Sequence, residues 1–549
     1  MELLEENSNV KLAIDIGLSD NNAEKGLLRN INNSNEIHKH YDDSGKIGAQ
    51  LLLTNTREAL RTKSQSDKID ERFSEINKEA LKIAQHKADD QNFIIGNIGS
   101  LDLALSPFGD FSFETAIEKY KEQIKLLSSE SDGILLNGFK DIQNLRAAII
   151  ASRDISSDLP LMVVANFTEN TMEYGTDVET FATIINSFDV NAIGLNKIEL
   201  VRNLEKFTNL PLIAYVESEI DIDQAIKRIR NRRLGMIVLS QNIDLKKAAE
   251  VGKFTSKKQI KYGDNTFPFK ITSYSKTVQS GPGLPFLKIG ERINPTGREK
   301  LARDLKEGNI EQIIKDAETQ RDAGADALDV NVGTPMIDEK EVMVRTIKAL
   351  QRKFDVPLII DSSTPEVIEA GLQNYAGKVL VNSVDGDVKK QEKILPLVKK
   401  YGAAIIGLTI KGGQPGDADE RLEIAQNIVT KCKSYGIPEQ NIIIDTVAMS
   451  AATSPQAGMQ AFDTIRKIKG KLELPTVMGI SNSSFGLPNR NWVHNTFLVQ
   501  AMAYGLDAGI VNVEDRELKK LIHTASIFVG RDQHCMDYIK YVRGLDTSI

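Results

Sequence analysis

The second half of the chain alternates short apolar runs with longer amphipathic stretches at an even spacing. The runs are rich in β-branched residues and are typical of buried parallel strands, and the stretches between them have helical periodicity. Eight evenly spaced units favour a closed (β/α)8 barrel, a TIM barrel, over an open doubly wound sheet. The predicted strands are Phe286–Glu291, Ala327–Val332, Val356–Asp361, Lys378–Val384, Ala403–Thr409, Asn441–Val447, Pro475–Ser481 and Ala508–Glu514.

The first half repeats this rhythm less cleanly. It again yields eight candidate strands, so the predicted fold class is α/β with two tandem TIM barrels. These strands are Lys11–Gly17, Ala49–Thr54, Phe93–Ile98, Gly133–Asn137, Pro160–Phe167, Ala192–Asn196, Leu210–Glu217 and Leu234–Ser240.

A segment rich in Lys, Ser and Thr separates the two halves and ends in Ser280-Gly281-Pro282-Gly283. Such composition indicates a connecting segment. The predicted organisation is therefore a first barrel over residues 1–253, a linker over 254–284 and a second barrel over 285–549.

Composition narrows the function classes. The 549 residues carry a net charge of -7, which argues against a nucleic-acid footprint of clustered Lys and Arg. No apolar run approaches the roughly 20 residues of a membrane span, and the acidic start lacks the order of a signal peptide, so we expect a cytoplasmic protein without membrane partners. The two cysteines, Cys432 and Cys535, form no Cys-x-x-Cys pair.

Polar residues stand where the strands of the second barrel end, and function in this fold sits at the carboxyl ends of the strands. Carboxylates and amides on one rim suit the edge of a flat heterocycle with donors and acceptors, because a carboxylate accepts two hydrogen bonds and Asn both donates and accepts. Capping of the following helices is the alternative for any single position. These residues are Glu291, Asn294, Asp329, Asn331, Asp361, Asn382, Asp445, Asn482 and Asn512.

The segment from Gly479 to Arg490 follows the seventh strand and reads Gly-Ile-Ser-Asn-Ser-Ser-Phe-Gly-Leu-Pro-Asn-Arg. Its glycines, including Gly486, permit close backbone approach to a ligand. Together with the rim, this loop indicates a ligand site.

At these residues the second half resembles the pterin-binding methyltransferase family. That family includes the methyltetrahydrofolate:corrinoid methyltransferases, the folate domain of cobalamin-dependent methionine synthase and, more distantly, dihydropteroate synthase. The matching segments come in family order and are Gly290-Glu-Arg-Ile-Asn-Pro-Thr-Gly297, Asp329-Val-Asn-Val-Gly333, Ile360-Asp-Ser362, Val381-Asn-Ser383, Ile444-Asp445 and Gly479-Ile-Ser-Asn-Ser-Ser-Phe-Gly-Leu-Pro488.

The resemblance implies residue roles. Asp361, Asn382 and Asp445 are similar to the pterin-ring contacts of the family, and Asn482 is similar to the residue that hydrogen-bonds the methylated ring nitrogen. The Gly-Leu-Pro form and Asn482 favour the methyl-transferring branch. A dihydropteroate synthase would carry lysine and arginine near strands six to eight, and those loops contain no Lys. The pterin-site residues implied are Glu291, Asn294, Asn331, Asp361, Asn382, Asp445, Asn482 and Gly486.

The resemblance also implies an activity: methyl transfer between 5-methyltetrahydrofolate, bound as a substrate, and the reduced cobalt of a separate corrinoid (cobalamin) protein. Two alternatives stay open. The chain could be a component of a split cobalamin-dependent methionine synthase, or a non-catalytic folate-binding scaffold. Neither the corrinoid partner nor the oligomeric state can be predicted from the sequence.

The first half resembles the homocysteine S-methyltransferase domain, through Ile37-His-Lys-His-Tyr-Asp-Asp-Ser-Gly45, Leu53-Thr-Asn-Thr56, Gly96-Asn-Ile-Gly99 and Ile193-Gly-Leu-Asn196. The cysteines that bind zinc in that family are absent: Lys197 follows strand six, and strand eight ends Val238-Leu-Ser-Gln-Asn242. A thiol with a pKa of about 8.5 needs a metal or cation to become a good nucleophile at neutral pH. We therefore expect no zinc, and no zinc-dependent homocysteine methylation, in this barrel.

Overall fold

The computed structural model describes residues 3–6, 8–15, 23–60, 67–218, 222 and 233–546. The chain divides into two compact units, Met1–Thr266 and Phe267–Ile549. Each unit contains a closed barrel of eight strands. The prediction of two tandem barrels is therefore confirmed, and the two units are described separately below.

The first barrel is closed by parallel pairing of its last strand with its first. Gly17, the predicted end of the first strand, lies outside the described residues. The strands are β1 (Lys11–Asp15), β2 (Leu51–Leu53), β3 (Phe93–Ile98), β4 (Gly133–Phe139), β5 (Leu161–Ala165), β6 (Ala192–Leu195), β7 (Leu212–Val216) and β8 (Leu234–Ser240). The described helices are α1 (Ala23–Asn32), α2 (Ser34–Lys46), α3 (Asp67–Lys87), α4 (Phe113–Ser128), α5 (Ile142–Ile155), α6 (Val178–Ile185), α7 (Ile198–Leu204) and α8 (Leu245–Thr255).

The second unit begins with a two-stranded antiparallel ribbon, β9 (Phe269–Thr272) and β10 (Thr277–Ser280). Its barrel strands are β11 (Leu287–Ile293), β12 (Ala327–Val330), β13 (Leu358–Asp361), β14 (Leu380–Val384), β15 (Ala404–Leu408), β16 (Ile442–Asp445), β17 (Thr476–Gly479) and β18 (Ala508–Val511). Its helices are α9 (Glu299–Lys306), α10 (Glu311–Asp322), α11 (Glu339–Lys353), α12 (Pro365–Gln373), α13 (Val388–Lys400), α14 (Ala418–Ser434), α15 (Ala457–Lys471), α16 (Arg490–Ala503), α17 (Arg516–Phe528) and α18 (Met536–Asp546). Among all the helices described, none is both long enough and apolar enough to span a membrane.

The ribbon differs from the predicted linker over 254–284. Phe269 and Ile271 are buried in the same apolar cluster as the barrel strands. Thr272 also accepts a hydrogen bond at 2.9 Å from the amide of Lys378, beside the start of β14. Part of the segment rich in Lys, Ser and Thr therefore forms the ribbon and is not a simple connection. The alternate apolar residues of the ribbon cover the amino-terminal end of the barrel.

Burial explains why the second barrel's strands are apolar and end in polar residues. A parallel strand inside a barrel is covered on both faces, so it reads as a continuous apolar run until it reaches the rim. The parallel register places Asp361 directly beside Asn382. The buried core consists of Phe269, Ile271, Leu287, Ile289, Ala327, Ile359, Leu380, Ala404, Ile406, Ile443, Val477 and Ala508.

Candidate active site at the mouth of the second barrel

Two amide–carboxylate pairs join the ends of β12, β13 and β14. The Asn331 amide donates to Asp361 Oδ2 at 3.0 Å, and the Asn382 amide donates to Asp329 Oδ1 at 3.3 Å. Burial raises the pKa of the Asp361 carboxyl to about 6. Burial, reinforced by the neighbouring charge of Asp361, also raises the pKa of Asp329 well above its ordinary value. The two acids therefore share one desolvated patch of the rim, held by two amides.

Glu291, in β11, also belongs to this cluster, because its charge acts on Asp329. Ser481, from the 3-10 helix Ile480–Ser484, donates to the Glu291 carboxylate, with its Oγ 2.8 Å from Oε2 and 3.0 Å from Oε1. Burial raises the pKa of Glu291, and the hydrogen bond from Ser481 opposes that shift. Glu291 within β11 and Ser481 just after β17 are thus tied together, although 190 positions separate them.

Asp445 ends β16 and has a different set of partners. Its Oδ1 accepts the backbone N–H of Val447 at 2.8 Å, and burial raises its pKa to about 6. Val447 has a positive φ of 59°. The charge of Arg421, on α14, lowers the pKa of Asp445 in opposition to burial. Asp445 therefore presents its remaining acceptor positions from a turn that its own side chain stabilises.

Arg421 stabilises that turn by hydrogen bonds to its backbone carbonyl groups. Its side chain is 2% exposed, and its guanidinium donates to the carbonyl oxygens of Thr446 at 2.9 Å, Val447 at 3.1 Å and Gly416 at 2.9 Å. Buried carbonyl groups left without a donor cost stability, because they lose hydrogen bonds that water would otherwise supply.

Arg421→Met is expected to lower the free energy of unfolding by about 1–3 kcal/mol. It is also expected to weaken pterin binding severalfold, because the turn that carries Asp445 loses its anchor. Thermal unfolding and a pterin titration measure the two effects. Arg466→Met, at a side chain 69% exposed, is the matched control. A folded Arg421→Met protein with unchanged pterin affinity would show that Arg421 does not position Asp445.

Asn482 lies on the 3-10 helix that follows β17, and its side chain is exposed. Its amide nitrogen points back at the strand end, 3.2 Å from where a Cβ on Gly479 would lie. Arg490 anchors the helix, since its Nη2 donates to the Ser481 carbonyl oxygen at 2.7 Å. Gly486, farther along, has a φ of 80°, a conformation that favours glycine. No described group hydrogen-bonds the Asn482 side chain, so its amide is available to a ligand.

Among the described residues, the side chains of Asn294 and Asn512 bond only to neighbours close in sequence. Asn294 accepts the backbone N–H of Thr296 at 2.9 Å, and Asn512 accepts that of Glu514 at 3.2 Å. Both stabilise turns at the rim. The structure therefore brings Glu291, Asp329, Asn331, Asp361 and Asn382 into one group, with the turn of Asp445 and the exposed Asn482 on the same rim.

Helix capping does not account for the polar rim. The capping side chains of the second barrel belong to other residues, and none of the nine rim residues is the N-cap of a described helix. In the described part of the second unit, the aspartates that accept from the first turn of a helix are Asp338, Asp387, Asp417, Asp515 and Asp532.

Three partners of the rim were not predicted from the sequence. They are Ser481, which bonds Glu291, Arg421, which anchors the turn of Asp445, and Glu339, which accepts from Ser362 at 2.7 Å beside Asp361. Ser481 lies within the loop that the sequence singles out. Arg421 is a basic residue on the buried face of an amphipathic helix, which is the signal that could have revealed it.

Comparison with known families fits this geometry. Residues 290–512, which hold the whole polar rim, match the family model described as pterin binding enzyme. The second barrel is a pterin-binding domain. Residues 4–229 match the homocysteine S-methyltransferase model, so this pterin-binding domain follows a homocysteine S-methyltransferase domain in tandem.

The chain is also similar to two methionine synthases. The chain is 25% identical over 560 residues to methionine synthase of Mycobacterium tuberculosis, covering 91% of this chain and 46% of that protein. It is 25% identical over 538 residues to methionine synthase of Mycobacterium leprae, covering 87% of this chain and 44% of that protein. The chain thus spans less than half the length of these relatives. A solved structure, the metallated homocysteine methyltransferase MmuM of Escherichia coli, is 13% identical, covers 45% of this chain and 96% of that chain, and has a TM-score of 0.39. The homology and the pterin-binding domain together support folate-related methyl transfer.

The buried acids predict how the stability of the ligand-free pterin-binding domain changes with pH. The folded pKa of Asp445 is about 6, above the ordinary value of 3.8. Between these values the folded state binds more protons than the unfolded state, so the stability contributed by Asp445 is complete below about pH 4 and is lost as the pH rises through 6.

Asp445→Asn removes this dependence. The variant is expected to gain stability relative to the natural protein as the pH rises from 4 to 7. The gain in the free energy of unfolding is about 1–3 kcal/mol and appears as a growing difference between the two melting temperatures. Scanning calorimetry at four pH values measures the difference. A difference independent of pH would contradict the raised pKa.

Proposed function

We propose that the chain transfers a methyl group between 5-methyltetrahydrofolate and the reduced cobalt of a separate corrinoid protein. The observation that carries this proposal is the exposed amide of Asn482, which has no hydrogen-bond partner among the described residues and lies on the rim that holds a buried cluster of carboxylates and amides. The match of residues 290–512 to the pterin-binding family model and the homology to methionine synthase supply further support.

The carboxylates and amides are proposed to bind the edge of the pterin ring. A carboxylate accepts from an amino group and the adjacent ring N–H together, which suits Asp361 and Asp445, and Asn382 both donates and accepts. Asn331 already orients Asp361, and Val447 orients Asp445, so both acids are held before the ligand arrives. The other proposed pterin-site residues are Glu291, Asn294 and Gly486.

In the proposed reaction the bond between the ring nitrogen and the methyl carbon breaks, and a bond between that carbon and the acceptor forms. The electron pair of the broken bond stays on the ring nitrogen, which gains a proton. A reduced corrinoid on the partner protein would supply the nucleophile. Asn482 is proposed to hydrogen-bond the ring nitrogen more strongly as its charge changes, which lowers the barrier without burying a full charge.

Anaerobic absorption spectroscopy tests the proposal. The full chain is mixed with methyltetrahydrofolate and free cob(I)alamin, and the conversion of cob(I)alamin to methylcobalamin is followed at several protein concentrations. We expect a rate proportional to protein concentration.

The alternatives give different results. A folate-binding scaffold would bind the pterin without demethylating it, which would contradict the proposal. A component of a split methionine synthase would require homocysteine turnover with stoichiometric zinc.

A further inference from the structure

A buried histidine, His494, contacts the 3-10 helix Ile480–Ser484, which carries Asn482. His494 lies in the second turn of α16 and is 8% exposed. Its Nδ1 is 3.1 Å from the Oγ of Ser484, the last residue of the 3-10 helix, and Ser484 is fully buried. The pterin contacts proposed above do not use this histidine, although it reaches the element that positions Asn482.

The Ser484 hydroxyl joins three groups. It donates to the carbonyl oxygen of Ser481 at 3.1 Å, and it receives the Nε–H of Arg490 at 3.2 Å. A hydroxyl has one hydrogen and two lone pairs, so one lone pair remains for His494. In this arrangement the imidazole carries a hydrogen on Nδ1 and donates it to Ser484, and the bonding capacity of the hydroxyl is filled.

Two side chains of α16 reach the 3-10 helix from the same helix face. Arg490 and His494 are four positions apart, a spacing that places side chains next to each other on a helix. Arg490 also donates from Nη2 to the Ser481 carbonyl oxygen at 2.7 Å. The contacts of α16 therefore lie on both sides of Asn482 in the chain, at Ser481 and at Ser484. The Asn482 amide has no partner among the described residues, so its direction depends on the backbone that these contacts hold.

The two contacts differ in strength because they differ in burial. Arg490 is exposed, so its hydrogen bonds compete with water. His494 is buried, and a hydrogen bond in low-dielectric surroundings is stronger and costs more to leave unmade. Burial lowers the pKa of His494, the charge of Arg490 lowers it further, and Asp515 opposes the shift. The imidazole is therefore neutral near pH 7 and bonds Ser484 without placing a second positive charge beside Arg490.

We propose that His494 is a positioning residue for the methyl transfer: through Ser484 it holds the 3-10 helix so that the Asn482 amide faces the methylated ring nitrogen. This inference rests on the proposed function of the pterin-binding domain. A displacement of about 1 Å at a reacting group costs about 100-fold in rate, so a bond that holds a backbone element affects the chemical step without touching the substrate. The bond between His494 and Ser484 should therefore affect kcat far more than pterin affinity.

His494→Phe keeps an aromatic ring and removes the hydrogen-bond donor. We expect single-turnover methyl transfer to cob(I)alamin to slow about tenfold or more, because Asn482 is no longer held in place. The affinity for methyltetrahydrofolate should stay close to that of the natural protein, since the carboxylates and amides of the rim are unchanged. Ser484→Ala removes the other partner of the same bond and should slow the reaction similarly. Because it deletes a single oxygen atom, it serves as the test if His494→Phe fails to fold.

His494→Asn is the rescue variant. Its amide places an N–H near the position of Nδ1, so it should keep most of the natural rate. A rate as low as that of His494→Phe would overturn the proposal, because lost packing would then explain the effect. His523→Phe is the matched control, since His523 is a half-buried histidine of α17 that stacks on Tyr541 with ring centroids 4.2 Å apart. It should keep the natural rate, and a slow control would contradict a specific role for His494.

A double variant decides whether His494 acts through Asn482. In the Asn482→Ala background, His494→Phe should produce no further slowing, because the amide that it positions is gone. Equal slowing in both backgrounds would overturn the proposal, as would a loss of pterin affinity in place of rate. If the natural protein transferred no methyl group to cob(I)alamin, the proposed function would fall and this inference with it. Independent effects of the two substitutions in an active protein would overturn this inference alone.

Discussion

Asn482→Ala is expected to slow demethylation of methyltetrahydrofolate about 100- to 1,000-fold, the usual effect of removing one preorganised donor that acts on developing charge. The loss should fall on kcat, with a much smaller change in pterin affinity, because the proposed hydrogen bond strengthens in the transition state. Since the Asn482 side chain is exposed and has no described hydrogen-bond partner, its removal should leave the fold intact. Single-turnover spectroscopy with cob(I)alamin and a separate pterin titration measure the two quantities.

Asn491→Ala is the matched control. Asn491 is another exposed asparagine that follows the same loop, and its amide donates to Asp515 at 3.1 Å. This variant should keep the natural rate. If Asn482→Ala demethylated at the natural rate, or lost only pterin affinity, Asn482 would not be the group that assists the ring nitrogen.

Asp445→Asn should weaken pterin binding about 10- to 100-fold, since a hydrogen bond to a charged group contributes about 1.5–3 kcal/mol. The substitution keeps the shape of the side chain but replaces one carboxylate oxygen, an acceptor, with an NH2 group. That donor would face the N–H donors of the pterin ring. The backbone N–H of Val447 can still bond the remaining oxygen, so the turn should survive. Equilibrium titration with methyltetrahydrofolate measures the affinity.

The same experiment has a pH signature. Because the pKa of Asp445 is raised to about 6, the natural protein should lose affinity between pH 7 and pH 5 as the carboxyl group gains a proton. Asp361, with a pKa of about 6, gains a proton in the same range. The pterin affinity of the variant should therefore still fall between pH 7 and pH 5, but less steeply than that of the natural protein. Asp463→Asn, at a surface pair with Arg466, is the control. If Asp445→Asn bound methyltetrahydrofolate at pH 7 as tightly as the natural protein does, Asp445 would not be part of the pterin site.

The barrels and the rim could be predicted because both depend on local pattern. A strand buried on both faces has to be apolar, and the first polar residue marks its exit, as at Asp361 and Asp445. The composition of the ribbon predicts a linker because Lys, Ser and Thr dominate its sequence, whereas its packing depends on the alternate residues Phe269 and Ile271. Alternation over four residues is too short a signal to separate an edge ribbon from a connection.

Long-range partners could not be predicted from a local pattern. Ser481 meets Glu291 across 190 positions, and Arg57 meets Asp15 across 42. The sequence shows that the first barrel lacks the zinc cysteines, but only the folded chain shows that Arg57 and Tyr215 meet at Asp15. Equally, Asn294 and Asn512 look like Asn331 in sequence, yet their side chains bond within local turns.

A crystal structure of the full chain with methyltetrahydrofolate would show directly where the pterin binds. We expect the pterin in the mouth of the second barrel, with its amino edge on Asp361, Asn382 and Asp445 and its methylated nitrogen within hydrogen-bond reach of Asn482. A pterin bound elsewhere, or one that turns its methylated nitrogen away from Asn482, would contradict it.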